Sequence, residues 1–110
     1  MTPATSNVHA SACRFGRFFL DPGEQRLLAD GKPVSLGARA FDLLVALVSR
    51  QGHLVTKNEL LTLVWPGLVV EENNLQVQIS ALRKLLGTSA LATIPGRGYR
   101  FELPVEPVAG

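Results

Sequence analysis

Leu75, Ile79, Leu82 and Leu86 recur at helical spacing and stop at Gly87. At about 100° per residue they fall within about 60° of one another, so a helix here buries one narrow stripe and turns the rest of its circumference outward. Leu91 to Ile94, the turn formers Pro95-Gly96-Arg97-Gly98 and Tyr99 to Leu103 then read as a short hairpin with an arginine between two glycines at its tip. Glycines there allow a partner to approach the backbone closely. The C-terminal third is thereby limited to a helix packed on one side and followed by two strands.

The same stretch concentrates the charge. Asn73 to Phe101 carries Arg83, Lys84, Arg97 and Arg100 and no acidic residue, whereas the first 72 residues hold seven basic and seven acidic side chains. The net charge of +2 belongs to the C-terminal third, a pattern suited to phosphates. The helix is expected from Glu72 or Asn73 to Gly87, its two acids Glu71 and Glu72 near the positive pole. Opposite the leucine stripe lie Asn73, Val77, Ser80, Ala81 and Lys84, flanked by Gln76 and Arg83 on one side and by Asn74 and Gln78 on the other.

Upstream, short apolar groups alternate with turn formers: Phe18-Phe19-Leu20, Asp21-Pro22-Gly23, Leu27-Leu28, Asp30-Gly31, then Val34 and Leu36. Asp30-Gly31 is a strong hairpin signal, and a small antiparallel sheet of three or four strands is predicted. From Ala38 the period becomes helical, with Phe41, Leu44, Val45 and Val48 on one face and a stop at Gly52. Thr56 with Glu59 three residues later predicts a capping box that opens a second helix through Leu60, Leu61 and Val64 to Trp65-Pro66-Gly67. Trp65 is predicted to close that helix from the core.

A chain of 110 residues with 46% apolar content suits one domain with one core. Residues 1–13 and 105–110 lack apolar periodicity, so the ordered unit is placed at 14–104. The lone Cys13 has no thiol partner, which fits a reducing cytoplasm, and the longest apolar runs are far too short to span a bilayer. An enzyme is not indicated. His9 and His53 have no neighbour at nucleophile, base or metal spacing, no phosphate-binding glycine loop appears, and no cofactor or small-molecule ligand is expected.

Sheet, three helices and hairpin, in that order, describe an α+β winged helix-turn-helix. Phe15-Gly16 with Leu20-Asp21, Asp30-Gly31, Phe41-Asp42-Leu43-Leu44, Glu59-Leu60-Leu61 to Val64-Trp65, Asn74 to Lys84, and Gly98-Tyr99-Arg100-Phe101 resemble the OmpR/PhoB-type DNA-binding domain over about 90 residues. In two-component regulators of this phosphorelay family the domain follows a receiver.

The resemblance implies sequence-specific binding of double-stranded DNA by a bacterial transcription regulator, with the third helix (72–86) in the major groove and the wing (91–103) at the minor groove. Asn73, Val77, Ser80, Ala81 and Lys84 then face base edges or nearby phosphates, with Asn74 a further DNA-binding candidate on their flank. Gln76, Gln78, Arg83 and Thr93 position phosphates, Arg97 reaches the minor groove, and Tyr99 anchors the wing beside them. A weak homodimer on DNA is implied. The loop Leu68, Val69, Val70, Glu71 and Glu72 either offers an exposed patch of the kind that contacts RNA polymerase in this family, or packs beneath itself.

This chain departs from the family in two places. Many members carry arginine where Ser80 or Ala81 stands; its loss weakens discrimination by about 1 to 3 kcal/mol per bidentate pair, so readout leans on A·T steps, thymine methyls and shape. Pro95 replaces a common wing arginine and Arg97 moves to the tip, a wording similar to the branch with an N-terminal DNA-binding domain and no receiver. A start at Met1 is in keeping with that branch. The rival reading is a winged helix without DNA binding, serving protein interaction or dimerisation. The missing arginine favours it slightly; the acid-free basic flanks oppose it.

Overall fold

Alternation of large apolar and polar residues decides which way each N-terminal strand faces. The computed structural model describes residues 12–108, so the expectations for the first eleven residues, His9 included, and for Ala109 and Gly110 lie outside it. The contacts divide the chain into two units, the first comprising residues up to Leu36 together with Pro104 onward, and the second Gly37–Leu103.

In the first unit β1 (Cys13–Phe15), β2 (Phe18–Asp21), β3 (Arg26–Ala29), β4 (Lys32–Pro33) and β8 (Glu106–Pro107) form an antiparallel sheet in the order β4-β3-β2-β1-β8. Cys13, Phe15, Phe18, Leu20 and Leu27 occupy its buried side, and the rings of Phe15 and Phe18 stack with centroids 5.7 Å apart. Burial pushes the Cys13 thiol pKa up. Asp30 (φ 53°) and Gly31 (φ 82°) are both left-handed, the backbone that a two-residue hairpin between right-twisted strands requires. Arg17, in the turn between β1 and β2, pairs with Asp30 at 3.1 Å.

The C-terminal tail differs from expectation. Glu106 and Pro107 pair with Arg14 and Cys13 as an edge strand. Proline is tolerated there because an edge strand has one side that needs no ladder donor, so Pro107 did not exclude pairing.

In the second unit α1 (Ala38–Ser49) buries Ala40, Phe41, Leu43, Leu44, Leu47 and Val48. Strand β5 (Leu54–Thr56) leads directly into α2 (Lys57–Val64). Then come α3 (Glu72–Leu86), a 3₁₀ turn (Thr88–Ala90), β6 (Leu91–Ile94) and β7 (Gly98–Phe101). Strand β5 was not legible as a strand: three residues are too few for a period, and its ladder depends on β7, with Val55 opposite Tyr99. The resulting sheet runs β5-β7-β6, which makes β7 its central strand. The core collects Leu43, Leu44, Leu47, Val55, Leu60, Val64, Leu75, Ile79, Leu82 and Phe101. Of the leucine stripe only Leu86 is half-buried. Trp65 is buried as expected, beneath the Arg39 guanidinium, which donates to Val64 O.

The capping box forms as read. Thr56 Oγ1 accepts from Glu59 N at 3.1 Å and Glu59 Oε1 accepts from Thr56 N at 2.9 Å. Those bonds, with the Thr56 backbone donor foremost, hold the Glu59 carboxyl below its ordinary pKa of 4.5. Thr56→Ala is expected to cost about 1 kcal/mol in a urea melt. Because the folded pKa is depressed, the Glu59 contribution is present above pH 4.5 and is lost as pH falls through the lower folded value. Glu59→Gln removes that part of the acid sensitivity.

Candidate nucleic-acid interface

Burial of Leu75, Ile79 and Leu82 on one side of α3 leaves Asn73, Asn74, Gln76, Val77, Ser80, Ala81 and Lys84 exposed on the others, with Gln78 and Arg83 half-buried. Val77 is 53% exposed, unusual for a valine among polar neighbours. Two of the polar side chains also serve the helix itself. Asn74 Nδ2 donates to Glu71 O at 3.3 Å at the N-terminus, and Gln76 Nε2 reaches Glu72 Oε2 at 3.4 Å.

The wing turn is tied to the same helix end. Arg97 N donates to Ile94 O at 2.9 Å, closing the hairpin, and Lys57 N donates to Arg97 O at 3.1 Å. Lys57 Nζ then pairs with Glu72 at 2.8 Å in the first turn of α3. The hydrogen bond between them raises the Lys57 pKa and lowers that of Glu72. Lys57 is a basic residue of this surface that the sequence reading left out. Nothing local marks it, since β5 and the wing bring it there.

The charges of the C-terminal third are not all alike. Lys84 and Arg97 stand exposed. Arg100 is paired with Glu102 across one residue of the chain. Arg83, expected to position a phosphate, turns to the wing: Nη2 donates to Thr93 Oγ1 at 2.6 Å and to Leu91 O at 3.2 Å, and the guanidinium lies 6.0 Å from the Tyr99 ring centroid. Thr93, given the same role, is Arg83's acceptor. Tyr99 is 5% exposed, so its ring is a wing anchor and not a face for stacking.

Gly98 also corrects an expectation. A partner was expected to approach the turn glycines, but the close approach at Gly98 is made by the protein's own β5, where a Cβ would lie 2.1 Å from Val55 O.

The loop after α2 exposes Leu68 at 56% and Val69 fully, while Val70 is half-buried. With Leu61 and Trp65 these residues line a concavity of about 290 Å³. Glu71 and Glu72 follow, both exposed.

Comparison with known proteins agrees with this architecture. The family described as "Transcriptional regulatory protein, C terminal" matches residues 31–101. The phosphate regulon transcriptional regulatory protein PhoB of Pseudomonas aeruginosa is 40% identical over 90 residues, which is 78% of this chain and 39% of that protein. The chain thus spans about two fifths of that relative's length. Among solved structures, the DNA-binding domain of Escherichia coli CadC is similar with a TM-score of 0.78 and 28% identity, covering 91% of this chain and 99% of that one. The Klebsiella pneumoniae RstA DNA-binding domain in complex with the RstA box is similar with a TM-score of 0.71 and 27% identity, covering 84% and 98%. With its family match over residues 31–101, three helices among the described residues, antiparallel sheets and a C-terminal hairpin, the chain belongs to the OmpR/PhoB-type winged-helix family of transcriptional regulatory proteins.

Proposed function

We propose that the chain binds double-stranded DNA sequence-specifically as the DNA-binding domain of a bacterial transcription regulator, acting in the cytoplasm without a cofactor. The observation that carries this reading is the outer face of α3: exposed, free of acid beyond its first turn, and linked through Lys57 to a wing turn that bears Arg97. Asn73, Val77, Ser80, Ala81 and Lys84 meet base edges and phosphates in the major groove, and Arg97 enters the minor groove. RstA, a structural relative, was solved in complex with its DNA box, which supports the same partner class for this chain. Residues 14–104 serve as the DNA-binding unit, two copies associate weakly on repeated half-sites, and the exposed Leu68-Val69 patch suits a contact with RNA polymerase.

The test is selection of bound duplexes from a random pool at two salt concentrations. Enrichment of a repeated half-site, with affinity falling as salt rises, is the expected result. No enrichment and no salt-dependent binding would favour the protein-interaction reading. On the selected site, Lys84→Ala is expected to weaken binding and flatten the salt slope by about one unit. Arg97→Ala weakens it through the minor groove; unchanged affinity in both variants would remove these residues from the interface.

A further inference from the structure

Strand β6 is the outer strand of the β5-β7-β6 sheet, paired on one side with β7. The Arg83 side chain of α3 reaches it. One nitrogen, Nη2, serves both Thr93 Oγ1 and Leu91 O on β6, and the guanidinium carbon lies 6.0 Å from the ring centroid of Tyr99 on β7, directly opposite Thr93 in the ladder. Both bonds leave from Nη2, so it is the planar guanidinium as a whole, placed near the ring, that is pre-organised here, where a lysine ammonium on its flexible stem would be less so. Arg83 and Lys84 are neighbours in the last turn of α3, yet Lys84 points outward and Arg83 is turned inward to the wing.

We infer that Arg83 is a positioning residue that locks the wing to the recognition helix and so sets the spacing between the major-groove and minor-groove contacts. This rests on the DNA-binding reading above and deepens it: Arg83 acts through Arg97, with its Nη2 donor engaged by Thr93 and Leu91 of the wing. The wing is held on its other side by β5 and by the bond from Lys57 N to Arg97 O. Loss of the Arg83 bonds therefore removes the tie at the β6 edge and loosens the hairpin against the C-terminal end of α3, while β5, the Lys57–Glu72 pair and the buried core keep the sheet in place.

The experiment uses Arg83→Lys, Thr93→Val and Arg97→Ala, singly and as the two pairs with Arg97→Ala, on the selected DNA site. Hydrogen exchange of the Arg97 amide is followed in the free proteins. Arg83→Lys keeps the charge, so a phosphate contact would survive it with affinity within about twofold, whereas loss of the lock is expected to weaken binding about tenfold. Arg97→Ala should then cost much less in the Arg83→Lys background than in the unaltered chain, because a displaced wing has already lost its groove. Thr93→Val removes one exposed acceptor, leaves Arg83 in place and should show the same non-additivity in weaker form. Wing amides should exchange faster in both variants while the melting temperature holds.

Additive losses, or unchanged affinity and exchange in Arg83→Lys, would overturn the inference. If the unaltered chain binds no duplex at all, it is the DNA-binding reading that fails. The exchange measurement then still decides whether Arg83 holds the wing.

Discussion

Gly98→Ala is expected to lower the melting temperature by more than about 10 °C and to dissolve the wing sheet. A Cβ at this position would stand 2.1 Å from Val55 O, 2.8 Å from Thr56 Cα and 2.9 Å from Val55 C, all backbone atoms. None can swing aside as a side chain would. Thr56 is paired with Gly98 in the β5-β7 ladder, its side chain caps α2, and the next residue, Lys57, donates its amide to Arg97 O. Relief of the clash must therefore separate β5 from the central strand of the sheet. Overpacking of a core typically costs about 1 to 3 kcal/mol, and this case belongs at or beyond the upper end because the obstacle is main chain. A loss of about 3 kcal/mol is a large fraction of the 5 to 15 kcal/mol that holds a domain of roughly this size folded, and each kcal/mol moves its midpoint by about 4 to 8 °C.

Gly96→Ala provides the control. Gly96 has φ +72° with nothing within 4 Å of a built Cβ, so its cost is conformational alone, about 1 to 2 kcal/mol. Thermal melts and near-ultraviolet spectra of the two variants compare them directly. A Gly98→Ala protein no less stable than Gly96→Ala would show that β5 does not approach β7 as closely as described.

Val77→Glu is expected to abolish measurable DNA binding and leave the fold intact. The side chain is 53% exposed on the outer side of α3, between the buried positions Leu75 and Ile79. Glutamate is a good helix former, so the helix tolerates it, and surface substitutions of this kind shift stability by about 0.5 kcal/mol or less. In the proposed complex the new carboxylate faces phosphates. Placing like charges together at an interface costs several kcal/mol, and each 1.4 kcal/mol is about tenfold, so affinity should drop roughly a hundredfold or more. The readout pairs a binding titration on the selected duplex with a melting curve. Binding that persists at full strength would mean that the outer face of α3 does not meet the groove, and attention would pass to the loop at Leu68 and Val69.

Several parts of this architecture could be read before any coordinates because their causes lie within a few residues of chain. The Thr56–Glu59 capping box is one helical turn long, and both of its bonds are made. The stripe Leu75, Ile79 and Leu82 is a wheel property, and it is the side of α3 that is buried. Asp30-Gly31 needs only its own backbone to turn a hairpin. Choosing the buried stripe also chose the exposed face, so Asn73, Val77, Ser80, Ala81 and Lys84 were named from spacing alone.

Other features depend on partners far away in the chain, and no local pattern carries them. Leu54–Thr56 becomes a strand because β7 lies beside it, and Glu106–Pro107 because Cys13 and Arg14 do. Composition likewise counts Arg83, Lys84, Arg97 and Arg100 as one basic cluster, whereas packing separates them. Arg100 is paired with Glu102, Arg83 donates to Thr93 Oγ1 and Leu91 O beside Tyr99, and Lys84 and Arg97 stand exposed. Lys57 joins the surface only because its amide meets the wing turn and its ammonium meets Glu72. Periodicity and capping are short-range and are written in the order of residues, so the amino-acid sequence by itself determined the helices, their buried faces and the hairpin turns. Strand partnership and the direction of a long charged side chain are set by whatever the fold brings alongside, and these only the tertiary structure decided.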